Sequence, residues 1–409
     1  MTKKRKSSTK RTARTGKGSA NSVLILVALL LGLGILFIGD QLGLIEIDWQ
    51  ALLGNETQTA QTQQKSTAPA QPGAGEFAAP SPVAGQQPVS GDWYQLYFTT
   101  PHYPDEPASR TETIVQGLIQ VLNSAQRSLD IAIYELNLDE IGDAILAARD
   151  RGVTVRMVTD TDELEELETL IRLEEEGIPI VPDERSPIMH NKFVVVDGQA
   201  VWTGSWNFTS NDTFRNNNHG IYIQSPELAQ NYAAEFEEMF GQHIFGPTSP
   251  ANTPNPQVQL GDTLIETCFA PEDECAAQLV RVINQAQQNI RFMAFSFTHE
   301  DIGQAVIARS KAGVAVQGVF ETRGSETEYS ELGPMKRQKL DVWQDGNPYT
   351  LHHKVFVIDE RMVALGSFNF SSNADQANDE NMLVIHNAAL AGQFLGEFER
   401  VYGQAQNPQ

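Results

Sequence analysis

His190-Asn191-Lys192-Phe193-Val194-Val195-Val196-Asp197, followed by Gly204-Ser205-Trp206-Asn207, has a second copy in the same chain: His352-His353-Lys354-Val355-Phe356-Val357-Ile358-Asp359, followed by Gly366-Ser367-Phe368-Asn369. Each reads H-x-K, four apolar residues, D, then G-S-x-N after six intervening residues. On a β-strand, residues two apart point to the same face, so each His and Lys would stand together. The runs behind them are β-branched or aromatic and suit a buried strand. Gly204 and Gly366 suggest a turn or a close backbone approach that returns Ser205 with Asn207, and Ser367 with Asn369, to the same place. Imidazole, ammonium, hydroxyl and amide together make a site for a phosphoryl group. A single such run reads as a buried strand carrying an incidental His and Lys. Two copies with identical internal spacing do not.

The repetition extends beyond the motifs. Glu140-Ile141-Gly142 matches Asp301-Ile302-Gly303, and Gly152-Val153 matches Gly313-Val314, at an offset of 161. His190 and His352 lie 162 apart, and seven of the sixteen residues from 140 are identical to those from 301. This is a duplicated domain. In the first copy, helical patterning spans 111–125 and 140–150, with strands at 129–134 and 153–158. That β-α-β order predicts a mixed or parallel sheet flanked by helices. The acidic stretch 162–176 reads as one amphipathic helix with Leu164, Leu167, Leu170 and Ile171 on one side and a solvated opposite face.

Two equivalent His-Lys-Asn sets facing each other would supply a nucleophile on one side of a phosphodiester and an acid on the other. An imidazole suits both tasks, with an unperturbed pKa near ~6.5. Lys192, Lys354, Asn207 and Asn369 would stabilise charge on the non-bridging oxygens. Asp197 and Asp359 fall seven residues from each His, an odd strand spacing, and are expected on the other face holding local backbone. Ser205 and Ser367 would donate either to the phosphate or to a neighbouring side chain.

The doubled motif resembles the signature of the phospholipase D superfamily, over residues 93 to about 405. The resemblance implies an α/β fold: two tandem phospholipase D-like α/β/α domains related by pseudo-two-fold symmetry, with one active site at their interface. It implies a covalent phosphohistidine, protonation of the leaving group by the other His, and no metal or other cofactor. On the commoner family assignment His190 is the nucleophile and His352 the general acid, an order that stays reversible here. Family members often carry a Glu after the motif that orients a catalytic His. Glu380 matches it in the second half, and the first half has Asn218 instead. An amide cannot stabilise an imidazolium as a carboxylate does, so the two halves are electrostatically unequal.

The chain of 409 residues exceeds one ordinary core and suits two domains with additions, expected at 93–247 and 257–405 with a Pro/Asn-rich joint at 248–256. Residues 1–22 carry eight Lys or Arg and no acid, which leaves 21 basic against 52 acidic residues in the rest. Residues 93–247 hold 9 basic and 26 acidic residues, and 257–409 hold 11 and 20. Such a body argues against non-specific polyanion binding without excluding a small basic groove.

The basic tail, read as cytoplasmic, leads into an uncharged apolar segment at 23–39, expected to be an N-terminal transmembrane helix with the body on the outer face. A cleaved signal peptide and a secreted body is the competing reading. Residues 40–92, rich in Gln, Thr, Ala, Pro and Gly from 54 onward, are expected to be a largely disordered linker. Cys268 and Cys275 are the only cysteines; with an extracytoplasmic body they are a disulfide candidate.

Phospholipid head-group hydrolysis is the leading functional expectation. An endonuclease using the same chemistry is the alternative, disfavoured by the acidic charge, and a non-catalytic surface scaffold is a third. The duplication removes the need for a homo-oligomer to complete the site.

Overall fold

The computed structural model describes residues 89–408. The basic tail, the apolar segment 23–39 and the linker as far as residue 88 lie outside the described residues. Among those described, no helix is long and apolar enough to cross a membrane.

Two eight-stranded mixed sheets carry the body. The first runs Val89–Ser90, Tyr94–Phe98, His219–Gln224, Ala200–Gly204, Lys192–Val196, Ser128–Ile133, Thr154–Thr159, Ile180–Pro182. The second repeats that order with Gln257–Leu260, Thr263–Ala270, Glu380–His386, Met362–Gly366, Lys354–Ile358, Asn289–Ala294, Ala315–Phe320, Asp341–Gln344. In each sheet a β-α-β crossover, through the helix Asp139–Asp150 or Glu300–Lys311, supplies the first of two parallel pairings, and the motif strand joins its β-α-β neighbour antiparallel.

The motif strands are buried on both faces, and their alternate residues enter different cores. Phe193 and Val195 meet Val355 and Val357 in one cluster shared by the two halves, together with Tyr232, Phe236, Phe394 and Phe398 from the helices Pro226–Gln242 and Ala388–Gln406. Val194 and Val196 face an outer cluster with Ile114, Leu118, Ile141 and Ile145; Phe356 and Ile358 do the same in the second half. Each such side chain contributes about 1.5–3 kcal/mol by leaving water. The shared cluster therefore fixes the two motif strands relative to each other.

Two expectations change. The acidic stretch is not one helix: it forms Thr161–Glu166 and Glu168–Glu175, broken at Leu167, whose backbone is extended. The break lets Leu164 and Leu167 reach the same cluster as the buried Leu170 and Leu173. Each motif strand also begins at the Lys and ends before the Asp. Asp197 and Asp359 have left-handed backbone (φ 55° and 50°), so strand alternation does not set their direction. Each carboxylate collects three successive backbone N–H groups, from Gln126, Arg127 and Ser128 or from Gln287, Gln288 and Asn289. Both are local braces at the far end of their strands.

Candidate active site

The histidines precede their strands in extended segments that cross to the opposite half. Thr350–Leu351 pairs in parallel with Asn216–Asn217, and Met189 bridges Asp379 in the same way. The His352 N–H donates to the Asn217 carbonyl and the His190 N–H to that of Asp379, both at 3.0 Å. Arg185 ties the same seam by its 2.9 Å pair with buried Asp379. Each half therefore hands its histidine to the residues that follow the other half's motif.

The glycines close the arrangement from behind. Gly204 and Gly366 have φ of 149° and 147°, and a Cβ on either would stand 2.3 Å from the carbonyl oxygen of His219 or Asn381. That approach lets the Ser205 and Ser367 N–H groups donate to those carbonyls, at 3.1 and 3.0 Å.

One cavity of about 620 Å³ results, lined by both motif histidines, by Asn207 and Asn369, and by Tyr134, Glu135, Asp212, Phe295, Glu321 and Arg323. His190 Nδ1 lies 2.8 Å from Glu380 Oε2, and His352 Nδ1 lies 2.9 Å from Asn218 Oδ1. With both Nδ1 atoms tied back, Nε2 is the free nitrogen of each ring. Lys192 and Lys354 are almost wholly buried, and their ammoniums donate to the carbonyls of His190 and His352 at 2.6 and 2.9 Å. They also lie over the rings of Tyr134 and Phe295, 5.0 and 4.7 Å from the centroids.

Ser205 donates to Asn218 at 2.8 Å, and Ser367 accepts from the Asn381 N–H at 3.0 Å. The Ser205 hydroxyl thus engages a neighbouring side chain, and that of Ser367 a neighbouring backbone N–H. Asp197 and Asp359 stay outside the cavity. Cys268 and Cys275 are joined in a disulfide away from it.

Sequence reasoning missed Tyr134 and Phe295, although their offset of 161 is that of the repeat. It also missed Asp212, Glu135, Glu321 and Arg323, which have no motif. A second cross-half contact escaped it too. Buried His219 and His353 face each other Nδ1 to Nδ1 at 3.1 Å, with His353 Nε2 held by Glu397 at 3.0 Å. Asn381 and Asn191 fill the pseudo-symmetric place, 2.8 Å apart.

Burial dominates the electrostatics of the cavity. It pushes both motif imidazoles well below the ordinary histidine value, and the neighbouring lysines act in the same direction. Burial brings Lys192 down to about 8 and, with Lys192 beside it, Lys354 to about 7. Glu380 is pushed by burial up to about 8, and Glu135 by burial and by Asp212 up to about 7. A phosphodiester anion entering here would favour the charged form of every cation in this set. The arrangement presents two imidazole nitrogens and two amides at the cavity wall, with two buried ammoniums bound to the histidine carbonyls, a set suited to a tetrahedral phosphoryl group.

The model of the PLD-like domain of cardiolipin synthase matches the chain twice, over residues 118–240 and 279–402. The chain is 31% identical over 162 residues to "Phospholipase D" of Rickettsia bellii, covering 38% of this chain and 81% of that protein. It is likewise 31% identical over 165 residues to "Mitochondrial cardiolipin hydrolase" of Xenopus tropicalis, covering 40% of this chain and 75% of that protein. Among solved structures, phosphatidylserine synthase of Haemophilus influenzae superposes with a TM-score of 0.55 at 14% identity, over 72% of this chain and 84% of that one. That likeness extends over both sheets and concerns the fold alone.

Proposed function

The chain belongs to the PLD-like domain family of cardiolipin synthase, with two copies of the domain in tandem, and from that premise we propose that it hydrolyses phospholipid head-group phosphodiesters. The observation that carries the reading is the pair of motif histidines in one cavity, each with Nδ1 engaged by the opposite half and Nε2 free.

In the first step His190 Nε2 attacks phosphorus and the bond to the head-group oxygen breaks. The electron pair leaves with that oxygen, and His352 gives it a proton. Lys192, Lys354, Asn207 and Asn369 hold the non-bridging oxygens as their charge develops. In the second step His352, now neutral, takes a proton from water. The water oxygen bonds to phosphorus, the P–N bond breaks, and phosphatidate leaves with both histidines restored. No cofactor takes part in this scheme. Support for the order comes from Asp212, whose carboxylate lies 3.5 Å from His352 Nδ1 and favours a charged ring there.

Lipid is favoured over nucleic acid by the carboxylates of Glu135, Asp212 and Glu321 in the cavity wall, which would repel the further phosphates of a polynucleotide. The same reading divides the body into 93–247 and 257–405 about the joint 248–256. It tethers that body outside the membrane by residues 23–39, and the Cys268–Cys275 disulfide is consistent with that side.

The deciding experiment uses the full-length protein in EDTA at low salt. It measures choline and ethanolamine release from phospholipid vesicles beside cleavage of single- and double-stranded DNA. Head-group release that disappears in both His190→Ala and His352→Ala supports the proposal. DNA cleavage lost in both variants, without lipid turnover, replaces it with a nuclease.

A further inference from the structure

The halves of the repeat differ in a reciprocal way around their histidines. At the offset of 162, Glu380 in the second half corresponds to Asn218 in the first, so His352 faces an amide where His190 faces a carboxylate. Six residues earlier the difference reverses: the first half has Asp212 and the second has Ala374. The half without a carboxylate at one position has one at the other.

We infer that Asp212 is the positioning residue that stabilises the imidazolium of His352, a carboxylate moved to a second place within the same site. This rests on the proposed phosphodiesterase reading and assigns the acid half of it. Asp212 Oδ1 lies 3.5 Å from His352 Nδ1, with 4% of the Asp212 side chain exposed. At that distance it is a charge contact, and the hydrogen bond belongs to Asn218, whose oxygen is 2.9 Å away. The division of labour is physical: the amide fixes the ring's orientation and the carboxylate supplies the charge an amide lacks.

Asp212 is itself held in place. Its Oδ2 accepts from the Asn207 N–H at 3.1 Å, its Oδ1 from the Asn216 amide at 2.5 Å, and its own N–H donates to Thr209 at 3.2 Å. Burial alone would raise its pKa, but His352, Asn216, Lys354 and the Asn207 N–H outweigh burial and leave it below the usual carboxylate value. Among the charged groups facing His352, Asp212 favours the protonated ring, while Lys354, Lys192 and His190 oppose it. Glu135 and Asp212 interact as like charges, and Glu380 acts on both lysines. Asp212 is therefore the group whose removal most directly lowers the proton affinity of His352.

The test uses the full-length protein labelled with ¹⁵N-histidine and saturated with inorganic phosphate, with His352 assigned by the signal missing from His352→Ala. Asp212→Asn is expected to lower the ring's protonation midpoint by about one unit. It should also lower the kcat of choline release from a soluble short-chain phosphatidylcholine by ~10²-fold, with KM little changed. The double variant Asp212→Ala/Asn218→Glu copies the second half's arrangement and should recover both. An unmoved midpoint in folded Asp212→Asn overturns the inference. So does a folded double variant whose midpoint stays down, and that variant decides the matter where Asp212→Asn does not fold. Absence of turnover in the wild type defeats the functional reading, and the titration still judges Asp212.

Discussion

Glu380→Gln should separate activity from stability, because the folded protein holds that carboxyl at a cost. Glu380 is fully buried and pushed from 4.5 up to about 8, which disfavours its ionised form by about 5 kcal/mol. That figure is an upper bound on what substitution can release, since His190 at 2.8 Å shares the proton. Replacing buried charged groups with neutral ones of similar shape commonly gains about 1–4 kcal/mol. The sign follows from linkage. The folded-state pKa is raised, so the folded chain keeps a proton that the unfolded chain releases. The stability due to Glu380 is complete below about 4.5 and is lost as pH rises through about 8. Against the Gln variant, the wild type should match in melting temperature near pH 5 and fall behind by several degrees at pH 8–9. Activity should move the other way. In the proposed scheme, formation of the phosphohistidine places charge on the His190 ring, and an amide cannot offset it, so kcat should fall by ~10²-fold or more. Scanning calorimetry from pH 5 to 9 and head-group release at pH 7 read the two effects. A variant that melts lower at every pH would make Glu380 a structural brace. Undiminished turnover would remove it from the chemistry.

The two histidines should respond differently to the leaving group. With a p-nitrophenyl phosphodiester, whose departure needs no proton, His352→Ala should give a burst of one p-nitrophenolate per chain, whereas His190→Ala should give none; a burst in the second variant instead reverses the assignment. Asp197→Ala should lower stability by about 1–2 kcal/mol by releasing the backbone N–H groups of Gln126, Arg127 and Ser128, while leaving kcat within about twofold. A large kcat loss in a folded Asp197→Ala protein would place that carboxylate in the chemistry.

Much of the site was legible because the information is local. His190, Lys192 and Asn207 fall within eighteen residues, as do their counterparts in the second copy, and strand alternation with a close glycine turn explains why they converge. The duplication supplied the symmetry. Which carboxylate serves which histidine was not legible, because it depends on the pairing of 350–351 with 216–217, a tertiary register no local pattern encodes. Glu380 could be seen in the sequence as an orienting residue, but not as the partner of the other half's His190. Asp212 was hidden for a different reason: its counterpart Ala374 makes the position appear unconstrained. The helix break at Leu167 was lost in a run of acidic residues that all favour helix, where burial of two leucine pairs overrides propensity.

The crossed pairing also explains what joining two copies in one chain makes available. Neither half holds a finished site, because each histidine takes its orienting group from the other. Two separate identical copies would place the same group behind both rings, and only the coupling between the two imidazoles or the bound substrate would then make them unlike. Phosphodiester cleavage needs them unlike, with one ring unprotonated for attack and the other carrying a proton for the leaving oxygen. Joined copies can drift apart at matched positions. The present chain has done so at several places around the histidines, among them Glu380 against Asn218, Asp212 against Ala374, and the Asn381–Asn191 contact against His219–His353. The first two changes oppose each other in where they put charge, keeping one carboxylate near each histidine but at unequal range, 2.8 Å from His190 and 3.5 Å from His352. The nearer one shares a proton with its ring, and the farther one stays ionised beside its ring. That inequality is the physical basis on which the proposed scheme gives attack to His190 and proton donation to His352.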